Sequence, residues 1–150
     1  MIKKIFISIF LICSFLLYSS CQTQENKYRT KVFHNYLQKT FQRTLSQEEA
    51  IYIGIASSGC PTCKTSLLQY LQTQTTMKLN LIVTQDWEMK LPDNIEMLYD
   101  EDATINNLNM KTSGTYVLFI KGRKIVETFS VTPPGLPVLD KKLKAFLAKK

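Results

Sequence analysis

The sequence predicts an α/β fold: a three-layer α/β/α sandwich around a mixed sheet of four to five strands. Three observations predict it. Two β-branched apolar runs, 51–56 and 78–84, flank a helical pattern, so their strands are expected to lie parallel with a right-handed crossover. Two later runs, 115–120 and 125–131, meet across "KGRK", which makes them an antiparallel hairpin. Helical patterns at both ends of the chain supply covers for the two faces of such a sheet.

The elements follow in order. Residues 31–43, "KVFHNYLQKTFQR", place Phe33, Tyr36, Leu37 and Phe41 on one helical face. "IYIGIA" is a buried strand, and "SSG" breaks it. A helix is expected from Pro61 to Gln74, burying Leu67, Leu68 and Leu71. "KLNLIVT" is the second strand, "DWEMKLPDN" a connection, and "IEMLY" a short extra strand. "DEDATINNLNM" reads as a short helix with acidic residues at its start, where the helix dipole favours them. "TYVLFI" is continuous and apolar, hence a central strand, and "IVETFSV" is its edge-like partner. "TPPGLP" is a stiff connector, and "VLDKKLKAFLAKK" puts Leu139, Leu143, Phe146 and Leu147 on one face of a last helix.

The first residues set the compartment. "MIKK" is followed by an apolar run of 14 residues, "IFISIFLICSFLLY", shorter than the roughly 20 a membrane span needs. Residues 1–20 read as a secretory signal. Ser19-Ser20-Cys21 resembles the lipobox at which bacterial lipoproteins are lipidated and cleaved, with Tyr18 where that pattern prefers Leu. The expectation is an exported lipoprotein, anchored to a bilayer through Cys21 and facing the periplasm or cell exterior. Residues 21–30 form a tether and residues 31–150 one domain. Nineteen basic and twelve acidic residues give a net charge of +7. Lys3 and Lys4 leave with the signal, so seventeen basic residues remain against twelve acidic ones, or +5. These charges are scattered and lack the aromatic interleaving of a nucleic-acid surface, so no nucleic-acid partner is expected.

Cys13 is lost with the signal and Cys21 would carry lipid, leaving Cys60 and Cys63 in "GCPTCK". Three roles are open to this pair. A disulfide across so short a loop stabilises by only about 2 kcal/mol, against roughly 4.7 for a 100-residue loop. A zinc site needs about four ligands, yet there is no second cysteine pair and the one histidine, His34, sits in the first helix. The redox role fits best. Pro61 suits the first helical position, which puts Cys60 at the helix start, where free N–H groups and the dipole favour thiolate. Thr62 lies between the cysteines, Lys64 adds a positive charge, and Cys63 sits one turn on, placed to attack a mixed disulfide.

At this point the chain resembles a known family. Residues 48–149 are similar to the thioredoxin-like superfamily, closest to exported thiol–disulfide oxidoreductases of the TlpA and AhpC/TSA kind. "CPTCK" matches the family's C-x-x-C-K, and "MLYDEDATINNLNMKTSGTYVLFIKGRKIVE" resembles its strand, helix and hairpin in order. The resemblance implies Cys60 as the exposed nucleophile and Cys63 as the buried resolving thiol. It also implies that Ser113, Gly114 and Thr115 approach Cys60 and bind substrate backbone as an added strand. Two departures stand out. Gly114 occupies the place of the family's proline, and Gly54 occupies the place where many thioredoxins carry a buried acid. The stretch before Cys60 also lacks the Pro-x-x-x-Thr-x-x-Cys pattern of peroxiredoxins, so peroxidase activity is not expected.

The resulting expectation is a thiol–disulfide oxidoreductase that needs no cofactor beyond a redox-active Cys60–Cys63 disulfide and binds no metal. It would exchange with protein thiols and disulfides and with a membrane electron donor or acceptor. Two other readings remain: a lipoprotein handling copper or an iron–sulfur cluster through the CxxC pair, and a non-catalytic binding module that presents Trp87. Asp86 is a candidate base for Cys63. Met77, Met89, Met97 and Met110 are irregularly spaced and read as core filling rather than soft-metal ligands.

Overall fold

The computed structural model describes residues 24–57, 60–84, 90–110 and 114–148. The signal, Cys21, Asp86, Trp87, Met89 and Ser113 lie outside the described residues. A helix over residues 24–41 (α1) leads to strand β1, Ala50–Ile55. Helix α2, Pro61–Gln72, and strands β2, Leu79–Val83, and β3, Ile95–Tyr99, come next. A single 3-10 turn, Thr104–Asn107, precedes strands β4, Thr115–Lys121, and β5, Lys124–Ser130. Helix α3, Leu136–Leu147, ends the described chain.

The five strands form one mixed sheet in the order β3-β2-β1-β4-β5. β1 pairs parallel with β2, and β2 parallel with β3. β4 runs antiparallel to both β1 and β5. This is the α/β sandwich with a mixed five-stranded sheet that the pattern predicts, and it is compatible with a thioredoxin-like arrangement. β1 lies in the centre, which is why "IYIGI" is apolar on both sides rather than alternating. Ile51, Ile53 and Ile55 pack with Leu67, Leu68 and Leu71 of α2 and with Leu139 and Leu143 of α3. Tyr52 faces the other way, into a second core with Phe33, Tyr36 and Leu37 of α1. Met77 belongs to the first core and Met110 to the second, as core filling requires.

Two elements differ from expectation. The first helix reaches back to residue 24, so 24–30 of the segment read as a tether are helical. Tertiary contacts hold them. Asn26 Nδ2 donates to the Val126 carbonyl at 3.1 Å, and Arg29 Nε donates to the Met110 carbonyl at 2.9 Å. The Ile125 N–H donates to Thr30 Oγ1 at 3.0 Å. The helix thereby satisfies main-chain groups of β5, an edge strand. The second difference is the segment after β3, a four-residue 3-10 turn where a longer helix was expected. Asp100, fully buried, organises it by accepting from the Thr104 and Ile105 N–H groups at 3.1 and 2.7 Å. Its Oδ2 also accepts from the Tyr36 hydroxyl at 2.8 Å. Burial, and then the Asp100 carboxyl, push the Tyr36 phenol far above the ordinary range.

Gly54 is required by packing. It pairs directly with Tyr116 across β1 and β4. A Cβ there would stand 2.7 Å from Tyr116 Cζ and 2.9 Å from Ile105 Cδ1. The Tyr116 ring is buried. Gly54→Ala should therefore destabilise the domain by about 1–3 kcal/mol through overpacking, read as a lower urea midpoint at constant slope. An unchanged midpoint contradicts the tight apposition of Gly54 and Tyr116.

Candidate active site at the start of helix α2

β1 ends at Ile55, and the chain leaves the sheet through Ala56 and Ser57. Cys60 then takes the position immediately before α2, with φ −54° and ψ 122°, and Pro61 opens the helix. The Lys64 N–H donates to the Cys60 carbonyl at 3.1 Å, the first bond of the helical ladder. An α-helix leaves its first N–H groups without internal partners, and a side chain just ahead normally accepts from one of them. Serine, threonine or aspartate usually fills that place. Here sulfur fills it, with the Cys63 N–H pointing at Cys60 Sγ at 3.3 Å.

Both cysteines are free thiols; Cys60 is exposed and Cys63 half-buried. Hydrogen bonding from the Cys63 thiol is the largest influence holding Cys60 below the ordinary thiol range, joined by the Cys63 N–H and by the N–H and hydroxyl of Thr62. The same contact, followed by burial, pushes the Cys63 thiol up. The two sulfurs thus divide the roles. The outer one is biased towards thiolate, the attacking form, and the inner one stays protonated and donates to it.

Lys64 has a different place from the one expected. Its Nζ donates to the Ser57 carbonyl at 2.6 Å. It holds the loop instead. Asn106, from the 3-10 turn, grips the same residue from the other side. The Ser57 N–H donates to Asn106 Oδ1 at 2.8 Å, and Asn106 Nδ2 donates to Ser57 Oγ at 2.6 Å. A backbone N–H only donates, so this pairing fixes the orientation of the amide. Ser57 and Asn106 carried no sequence signal. They lie 49 positions apart, and a short polar residue in a loop is ordinary.

Pro61 and Thr62 are exposed beside Cys60. Thr115, expected to bind substrate backbone, is buried as the first residue of β4. Its carbonyl accepts from the Val131 N–H at 2.9 Å, and its strand is flanked on both sides. It offers no open edge. Gly114 precedes it, half-buried, with φ +73°, a left-handed conformation that glycine adopts freely. Thr115 Oγ1 and the Tyr116 hydroxyl are buried with no hydrogen-bond partner among the described residues. Gly54 has no room for an acid, because Tyr116 occupies the space above it. Among the described residues no cluster of three or more His, Cys, Asp or Glu side chains is arranged to hold a metal ion.

No protein-family model and no curated protein matches the sequence.

The clamp on Ser57 is directly testable. Asn106→Ala removes both side-chain bonds to Ser57 and should cost about 1 kcal/mol. The Ser57 amide should then exchange with solvent about fivefold faster, while amides in the middle of α2 keep their rates. Unaltered exchange at Ser57 contradicts the clamp.

Proposed function

We propose that the protein is a thiol–disulfide oxidoreductase of thioredoxin-like type, exported and tethered to a membrane through Cys21. The observation that carries the reading is the exposed Cys60 sulfur at the first turn of α2, accepting from Cys63 and held below the ordinary thiol range. A structural cysteine has no need of exposure, and one turn of separation suits the pair for exchange with another molecule.

The reaction proceeds by mixed-disulfide exchange. The Cys60 thiolate attacks one sulfur of a substrate disulfide. A Cys60–substrate disulfide forms, and the substrate's other sulfur leaves as thiolate and takes up a proton. Cys63 then loses its proton and attacks Cys60 Sγ. The Cys60–Cys63 disulfide forms, and the second substrate thiol is released. Two electrons pass from the cysteine pair to the substrate, and a membrane donor returns them by the reverse chemistry. Operated in the other direction, the same pair oxidises substrate dithiols.

The raised pKa of Cys63 bears on the second step. While Cys60 is a thiolate the inner thiol keeps its proton. Once Cys60 is bonded to substrate, its negative charge is gone and so is the main cause of that shift. Cys63 then ionises more readily, at the stage where it must attack. The signal-like first residues and Ser19-Ser20-Cys21 support export and anchoring. No helix among the described residues is long and apolar enough to cross a membrane.

Cys60→Ser keeps an accepting side chain ahead of α2, so it should fold normally and lose turnover of a protein disulfide. Cys63→Ser should retain the first attack and accumulate the mixed disulfide, visible on non-reducing gels. Wild-type turnover by Cys60→Ser sinks the proposal.

A further inference from the structure

A cleft of about 1010 Å³ opens between α1 and the β4–β5 hairpin, away from the cysteines. Lys27 and Lys31 line one wall and Arg123 and Lys124 the other. All four are exposed, and none makes an ion pair among the described residues. The nearby acid, Glu25, is engaged by Arg29 at 3.0 Å. The floor is apolar, with Leu45 and Ile125 buried beneath it. Two exposed large apolar side chains, Tyr28 and Val126, flank the charges, at 43% and 44% exposure. Aromatic and apolar tips among lysines and arginines suit a bilayer interface, where one end of a side chain is wet and the other apolar.

The turn itself points the same way. Gly122 and Arg123 both have positive φ, 57° and 61°, as a two-residue hairpin turn demands. Glycine or asparagine is the usual residue at the second position, yet an arginine is held there, its N–H bonded to the Ser46 carbonyl at 3.0 Å.

We infer that this basic cleft is a docking surface for an anionic lipid bilayer, which seats the domain hairpin-end down and turns the cysteine pair away from the membrane. The inference rests on the anchoring proposed above. Cys21 lies only six positions before Lys27, so a lipid on it holds the cleft near the headgroups. The sheet register supplies the orientation. At the hairpin end Ala50 pairs with Ile120; at the other end Ile55 pairs with Thr115, next to the exit towards Cys60. Five steps along the strand at 3.3 Å each separate the two ends by about 17 Å. Cys60 is thereby presented to the aqueous phase, where protein substrates approach. Each basic residue close to an anionic surface multiplies the partition towards it about fivefold at moderate salt.

The experiment places the full lipidated chain on nanodiscs of neutral phosphatidylcholine, or of phosphatidylcholine with anionic phosphatidylglycerol, and measures acetylation of each lysine by mass spectrometry. Lys27, Lys31 and Lys124 should react about threefold or more slowly on anionic discs, with Lys64 unchanged, and roughly 0.5 M salt should erase the contrast. Equal labelling on the two discs, or selective protection of Lys64, overturns the inference. Equal labelling would leave an acidic protein as the partner of this face. Retention on neutral discs reports the anchor separately. A chain that leaves neutral discs yet shows the lysine contrast on anionic ones refutes anchoring and supports the face. One that stays on neutral discs without the contrast does the reverse.

Discussion

The N–H of Cys63 has no partner inside its own helix, and the nearest acceptor is the sulfur of Cys60. Most of what the site can do depends on that contact. Oxygen in the same position would finish the helix and remain inert. Sulfur finishes the helix and is left more acidic than an ordinary thiol, because the donors that cap the helix are the donors that stabilise negative charge. Pro61 contributes by having no N–H of its own to satisfy and by presetting the backbone at the first helical position. The disposition of charge is local: one exposed turn carries the more acidic sulfur, the N–H that donates to it and the second thiol.

The sheet determines where that turn stands. β1 is central, with β2 parallel on one side and β4 antiparallel on the other. Its carboxyl end is where the chain must leave the sheet for a crossover helix, and such ends are where α/β folds gather their ligands. A loop of this kind has conformational freedom, and two polar contacts, one of them long-range, restrict it. Lys64 and Asn106 converge on Ser57, while Asp100 holds the turn that presents Asn106. Asp100 is itself tied to Tyr36 of α1. The exit loop is thus connected through named hydrogen bonds to a helix on the other face of the sheet. Behind it, Tyr116 over Gly54 closes the space in which an acid would otherwise be accommodated. Neither group supplies a carboxyl.

Much of the architecture is legible in the residues. Alternation and continuity of apolar side chains located all five strands, because burial on one or both faces writes itself into the sequence with a period of two or as an unbroken run. The Pro61 helix and its buried Leu67, Leu68 and Leu71 stand where the periodicity put them. What the sequence withheld is polar and distant. The pairing of Ser57 with Asn106, or Tyr36 with Asp100, is a property of the assembled fold, and nothing in the composition of either segment marks it. Lys64 was visible as a charge next to a cysteine, but its chain is long enough to reach either the sulfur or the loop, and the fold chose the loop. Residues 24–30 looked like a polar tether because their contacts are hydrogen bonds to β5 and to Met110 rather than apolar burial.

The most direct test of the account is a titration of thiolate absorbance in the ultraviolet on the reduced protein, with Cys60→Ser and Cys63→Ser alongside. Two interacting thiols release their protons in two macroscopic steps. The account predicts a first step below the ordinary thiol value of about 8.5 and a second above it, with the first absent from Cys60→Ser. A single step at the ordinary value, unaffected by which cysteine is replaced, would contradict it.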